Sequence, residues 1–154
     1  IFPRLTVSLS ANTLSLGTLS ADTINKASVT STVTITGSTG FLSYILYDHA
    51  LQIDGSNAIA NESGGGTIVA GTPEFGGSTD EPSGVDLAAT SPACATGAST
   101  SNATALATTA KSFATASGNV TSDITTLCLL ATINAMTPAG AYANTITIVT
   151  TGKY

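Results

Sequence analysis

The chain has 154 residues, of which only 8% are charged, and its four basic and nine acidic side chains give a formal net charge of −5. This length suffices for one domain with a substantial hydrophobic core. Nucleic acid requires clustered Lys and Arg, so we expect no nucleic-acid partner and no strong attraction to anionic membrane surfaces. The sequence contains no run of about 18 apolar residues, so we expect no transmembrane helix.

Residues 1–10 carry the clearest strand pattern in the chain. The even positions are polar except for Phe2, whereas the odd positions are apolar: Ile1, Pro3, Leu5, Val7 and Leu9. A period of two predicts a strand with one apolar face. We therefore divide the chain into an N-terminal strand, residues 1–10, and a single β-domain, residues 11–154.

The next segments continue the β pattern. After a polar break at residues 12–13, leucines resume the apolar run around Gly17. Strict alternation over residues 27–36 predicts a second strand with an outward face of Thr and Ser. A turn at residues 37–40 leads into the nearly continuous apolar run 41–47, which predicts a central strand covered on both faces.

Residues 50–92 are less regular. We expect a glycine-rich loop at its centre and short strands at residues 52–55, 58–60, 67–70, 74–76 and 85–88. Residues 90–118 are low in complexity, and we favour irregular coil followed by a short strand near residues 112–115. A helix that begins at Asn102 and ends before Gly118 is the alternative, although its many Thr residues lower helix propensity.

The C-terminal part returns to strands. Residues 123–133 predict one strand, residues 138–140 a turn, and the alternating residues that follow a final half-buried strand. Short strands with a turn signal about every ten residues predict an all-β, Ig-like antiparallel sandwich.

Two features point to export. The chain begins at Ile1 with no signal peptide, so the simplest expectation is a mature form whose leader has been removed, although an excised fragment would look the same. Cys94 and Cys128 have no CxxC motif and no His at metal spacing, so we expect one disulfide. It would close a loop of about 35 residues and contribute on the order of 3–4 kcal/mol. Two inert buried thiols are the alternative.

The residues offer little catalytic chemistry. His49 is the one histidine, and a Ser-His-Asp triad would have to use it, but Asp48 should point to the opposite side of a strand. There is no G-x-S-x-G motif. We therefore predict no catalytic residue and no cofactor, and a hydrolase built around His49 is a minor alternative.

Metal and glycan sites are the remaining candidates. Calcium prefers oxygen ligands, and a Gly-rich segment offers four carboxylates, Glu74, Asp80, Glu81 and Asp86, although nothing matches an EF-hand loop. Simple solvation of these side chains is the favoured interpretation, and no other metal site is predicted. Sequons begin at Asn61, Asn102 and Asn119, all in predicted loops that would accommodate a glycan.

The segment Thr137-Pro-Ala-Gly-Ala-Tyr142-Ala-Asn-Thr-Ile-Thr-Ile148 resembles the P-A-G-x-Y ending of secreted pilin-like domains, including spore coat protein U-type domains. The resemblance covers the two ends of the chain, roughly a third of it. It implies an Ig-like sandwich at the cell surface whose copies polymerise when a terminal strand of one copy completes the sheet of the next.

We therefore expect a structural subunit of an extracellular filament or surface layer, a homopolymer with residues 1–9 as the candidate donated strand. The alternative for this segment is that residues 5–9 form the first strand of their own sandwich. Pro3 lacks a ladder donor and must lie at a strand end or edge. The alternative function is a monomeric adhesin or carbohydrate-binding module that recognises host or surface glycans, although the chain has no Trp and few aromatic residues for a sugar platform.

Overall fold

The computed structural model describes residues 2–63, 66–90, 94 and 99–154, and the regular structure within these ranges is all β, with no helix. The strands are β1 (Arg4–Leu9), β2 (Asn25–Thr36), β3 (Gly40–Tyr47), β4 (Gln52–Asp54), β5 (Asn57–Ala58), β6 (Thr67–Val69), β7 (Glu74–Thr79), β8 (Ala88–Ala89), β9 (Thr100–Asn102), β10 (Lys111–Ser117), β11 (Val120–Thr132) and β12 (Ile146–Lys153). The all-β prediction is therefore confirmed.

The strands form two larger sheets and two small ones. The first large sheet has five strands in the order β1-β2-β11-β7-β8, and the second has three in the order β10-β3-β12. Neighbours run antiparallel except for the short pair β7 and β8, which is parallel. The small sheets pair β4 with β5 and β6 with β9.

One hydrophobic core takes side chains from both large sheets. The inward face of β2 contributes Val29, Val33 and Ile35, as its strict alternation predicted. Phe41 and Ile45 of β3 meet them from the other sheet, and both are fully buried. Because successive strand residues point to opposite faces, every second residue of β2 enters this core and the others face outward.

The strands covered on both faces are β7 and the C-terminal half of β11 rather than β3. Leu127 and Leu129 of β11 face the main core, whereas Cys128 and Leu130 face a second cluster with Ile68 of β6. On β3 only one face is buried, and the outward residues, Leu42, Tyr44 and Leu46, are half-exposed. The expectation that a continuous apolar run marks a doubly covered strand is thus wrong for residues 41–47, because no element among the described residues packs fully over that face.

The favoured short strand near residues 112–115 is confirmed as β10, and the alternative helix from Asn102 is absent. Two other local expectations are corrected. The leucines at positions 14, 16 and 19 form no strand, although all three pack against the main core. The strand expected at residues 85–88 is only the two-residue β8, and part of the predicted glycine loop lies outside the described residues.

Candidate assembly edges

Among the described residues, strand β1 lies at one edge of the five-stranded sheet and has a single neighbouring strand. It pairs antiparallel with β2 of the same copy, from Arg4 opposite Thr36 to Leu9 opposite Ser31. In the single chain, therefore, the residues of the candidate donated strand are the first strand of their own sheet. Pro3 precedes the strand, so its missing N–H removes no ladder bond, and Ile1 lies outside the described residues.

The apolar face of β1 is only partly covered. Leu5, Val7 and Leu9 lie opposite Ile35, Val33 and Ser31, respectively, so they share the inward face of the sheet. Leu5 packs against the core, but Val7 and Leu9 remain 39% and 42% exposed. The three-stranded sheet is narrower than the five-stranded one, so the described part of the chain covers this end of the inward face incompletely.

The connection from β1 to β2 has a loose part and a fixed part. Ser10 is still held, because its N–H donates to the Thr30 carbonyl and its hydroxyl accepts from the Thr30 N–H. Residues 11–13 are then exposed and outside any strand. Further along, the Asn25 side chain fixes the segment by donating to the carbonyls of Leu16 and Thr18. Residues 11–13 are therefore the least constrained part of this connection.

Strand β12 is an open edge of the second large sheet. It pairs along its full length with β3, from Ile146 opposite Tyr47 to Lys153 opposite Gly40, with no bulge. Within the described part of the chain, no strand lies on its other side. The opposite edge of this sheet is protected, because the N–H groups of Asp86 and Leu87 both donate to the Ser112 carbonyl of β10.

The hydrogen bonds at the two ends of β12 show which backbone groups face the open edge. The Thr145 carbonyl accepts from the Asp48 N–H, and the Lys153 carbonyl accepts from the Thr39 N–H, so odd positions point toward β3. In an antiparallel ladder, residues whose N–H and C=O face one neighbour alternate with residues whose groups face away. The residues of β12 whose N–H and C=O groups point to the open edge are therefore Ile146, Ile148, Thr150 and Gly152.

The predicted cysteine pair lies at disulfide distance. Cys94 and Cys128 are joined, with their Cα atoms 5.4 Å apart, and no free cysteine remains. Cys128 is completely buried beside Ile24, Ile68, Ala103 and Leu130. The bond thus ties residue 94, in the low-complexity segment, to the centre of the longest strand.

The four carboxylates proposed for calcium do not converge. Glu74 is buried at the start of β7 and accepts from the Val69 N–H, and Asp80 accepts from the Thr126 N–H at 2.7 Å. Asp86 instead binds Ser112, and burial raises the pKa of Glu81. Among the residues that the structure describes, no group of three or more His, Cys, Asp and Glu side chains is placed to hold a metal ion.

Asp86 instead fastens its loop to β10. Its carboxylate accepts from the Ser112 N–H at 2.7 Å and the Ser112 hydroxyl at 2.8 Å. The backbone bond, followed by the hydroxyl bond, lowers the pKa of Asp86 below its ordinary value of 3.8. The charged carboxylate therefore stabilises the fold above that ordinary pKa, and this contribution is lost as pH falls through the lowered pKa of the folded state.

We expect Asp86→Asn to reduce the free energy of unfolding by about 0.5–1 kcal/mol at pH 7, because a neutral amide accepts these bonds less strongly and solvent screens the exposed site. The deficit should be the same at pH 5 and should shrink as pH falls below about 4. Urea unfolding of both proteins at three pH values measures it. A deficit that grows toward low pH would contradict the assignment.

His49 lies in a turn after β3, not on a strand. The expectation that Asp48 and His49 point to opposite sides is wrong, since their side chains approach to 3.4 Å beyond the end of the strand. The other ring nitrogen lies 2.8 Å from the Ala50 carbonyl, and no serine hydroxyl bonds the imidazole among the described residues. The Thr145 N–H is the main cause that lowers the pKa of Asp48, so this carboxylate fastens the start of β12.

The three sequons differ in accessibility. The Asn61 amide donates to the Tyr47 hydroxyl and is partly buried. Asn102 is exposed but ends β9, so the prediction that it lies in a loop is wrong. Asn119 is exposed in the loop between β10 and β11. Asn102 and Asn119 are therefore the more accessible acceptors, although the Asn119 side chain also accepts a hydrogen bond from the Ser38 N–H in the turn between β2 and β3.

Sequence reasoning missed the open edge of β12, since alternation predicts a strand but not its number of neighbours. The described residues contain no helix that is long and apolar enough to cross a membrane. Comparison of the chain with known proteins finds no matching family model, no matching curated protein and no matching solved structure.

Proposed function

We propose that this protein is a structural subunit of an extracellular filament or surface layer, whose copies assemble by donating strand β1 to one another. The proposal includes the Ig-like sandwich and the cell-surface location that the chain termini suggested. The observation that carries it is the incomplete attachment of β1, an edge strand with one neighbour and two half-exposed apolar residues, Val7 and Leu9.

The pairing of β1 within one copy is the closed form of this exchange. When β1 leaves β2, the vacated edge accepts β1 of another copy in the same register, so the main-chain hydrogen bonds are restored between chains. The release costs little side-chain burial, because Leu5 is the one residue of β1 that is not exposed. A second copy seated on this side would also cover Val7 and Leu9.

The connection at residues 11–13 affects which assembly forms when copies exchange β1. Residues 11–13 are short, and Asn25 holds the segment that follows them, so a released β1 stays close to the sheet edge that it has left. Exchange that passes β1 from each copy to the next gives an open chain of subunits, whereas mutual exchange gives a closed dimer. The open form fits a filament or layer.

Paired cysteines test donation directly, because Ser8 lies opposite Thr32 on the outward face of the sheet. Ser8→Cys in one preparation and Thr32→Cys in another are mixed under mild oxidation, so that any disulfide between them joins two chains. Their Cα atoms should lie about 5.5 Å apart, which a disulfide spans. We expect covalent pairs between the two variants.

The control mixes Thr6→Cys with Thr32→Cys, which the register places two residues out of alignment. We expect few covalent pairs from this mixture. Electron microscopy of the unmodified protein then distinguishes filaments from dimers. If the Ser8 and Thr32 variants yield no more intermolecular disulfide than the control, donation of β1 is ruled out.

The structure adds nothing in favour of a carbohydrate-binding module. Phe41, Phe75 and Phe113, three of the four phenylalanines, are fully buried in the fold and so are unavailable to stack on a sugar ring.

A further inference from the structure

We propose that the open edge of β12 is a second interface between copies of this chain, in which two β12 strands pair antiparallel about a two-fold axis. The contact joins two three-stranded sheets into one of six strands. It uses neither β1 nor β2, so it is independent of strand donation.

This edge lacks the features that usually prevent an exposed edge strand from pairing with a strand of another molecule. Natural edges are blunted by short strands, bulges, proline, charges or a covering loop. Strand β12 has eight residues, no proline and no bulge, and its one charge, Lys153, is at its end. By contrast, β10 is covered by the loop that carries Asp86, and β1 is shorter and begins with Arg4 after Pro3.

The outward backbone groups select one register. Hydrogen-bonded pairs must form between outward residues of the two strands, so even positions must face even positions. Centring the two-fold axis on Val149 pairs Ile148 with Thr150 and Ile146 with Gly152, which uses all four outward residues. Val149 then lies opposite its own counterpart in a non-hydrogen-bonded pair, where side chains approach most closely.

Charges and side chains suit this register. The Val149 side chain lies on the solvent-facing side of the sheet and is 44% exposed. The Val149 side chains of two paired copies would therefore cover each other. Thr147 faces Thr151, and β-branched cross-strand pairs of this kind stabilise sheets. Lys153 falls opposite Thr145 rather than opposite the second Lys153. All nine acidic residues lie outside β3, β10 and β12, so pairing here avoids most of the repulsion between chains of net charge −5.

The expected dimer is weak on its own. A single strand pair buries less than the roughly 1,000 Å² that a stable interface needs. Within an assembly, however, a weak contact becomes intramolecular and gains in effective concentration. The contact would then join neighbouring filaments side by side or widen a layer.

Single-cysteine variants test the register. Val149→Cys should form a covalent dimer on mild oxidation, because the two Cα atoms would lie about 4.5 Å apart. Thr147→Cys and Thr151→Cys, on the same exposed face, should each stay unlinked alone, since each lies about 13 Å from its own counterpart. Mixing these last two should restore the cross-link. Equal linkage of all three single variants, or none with Val149→Cys, would overturn the proposal.

Two substitutions that each add one negative charge test the contact without cross-linking. Val149→Glu would place like charges directly opposite each other and should weaken association about five-fold or more. Thr151→Glu adds the same charge on the same face but opposite Thr147, so it should retain more of the association. Sedimentation at increasing concentration gives both constants. Equal weakening by the two substitutions would argue against a contact centred on Val149.

Discussion

Gly40→Ala is expected to lower the free energy of unfolding by about 3–4 kcal/mol, a large effect for a single methyl group. Gly40 begins β3 with φ of +129°, a conformation that side chains rarely adopt. An added Cβ would lie 2.0 Å from the Ala116 carbonyl oxygen, so β3 and β10 would have to separate where Gly40 pairs with Ser117.

Gly118→Ala is the matched control for that substitution. Gly118 also has positive φ, at +80°, but an added Cβ meets no atom within 4 Å. The control should therefore cost about 1–2 kcal/mol, from backbone strain alone. Urea unfolding of both variants gives the difference. Equal losses would mean that β10 moves aside without cost and that the close contact at Ala116 has no energetic weight.

Removing the disulfide with Cys94→Ala and Cys128→Ala together should cost about 3–4 kcal/mol. The bond spans 34 positions and so restricts the unfolded chain strongly. Alanine is chosen rather than serine because a serine at position 128 would place a hydroxyl in the apolar cluster around this completely buried residue. The variant should retain the all-β circular dichroism spectrum of the parent and unfold at lower urea.

Reduction of the parent protein provides the comparison for the cysteine variant. Because Cys128 is buried, reductant should act slowly on the folded protein and rapidly in urea. The reduced parent and the double variant should then have similar free energies of unfolding. A loss below about 1 kcal/mol in both would contradict the role assigned to this bond.

The existence of most strands follows from the sequence alone. Alternation of β-branched and apolar residues is a local property, and it predicted β2 and β12 with their inward faces, whereas the apolar runs predicted β3 and β11 as strands only. The expectations of no nucleic-acid partner and no transmembrane helix likewise rest on low charge and the absence of long apolar runs, without reference to any contact. The cysteine pairing followed because only two cysteines exist.

The neighbours of each strand were decided only by the tertiary structure, because pairing joins residues far apart in sequence. Thus β11 rather than β3 is covered on both faces, since the segment that carries Ile68 packs over it. Glu74, Asp86 and Asp80 do not come together, because each carboxylate accepts a hydrogen bond from a different strand, β6, β10 and β11, respectively. The open edge of β12 arises because the second sheet ends there, and no local pattern records where a sheet ends.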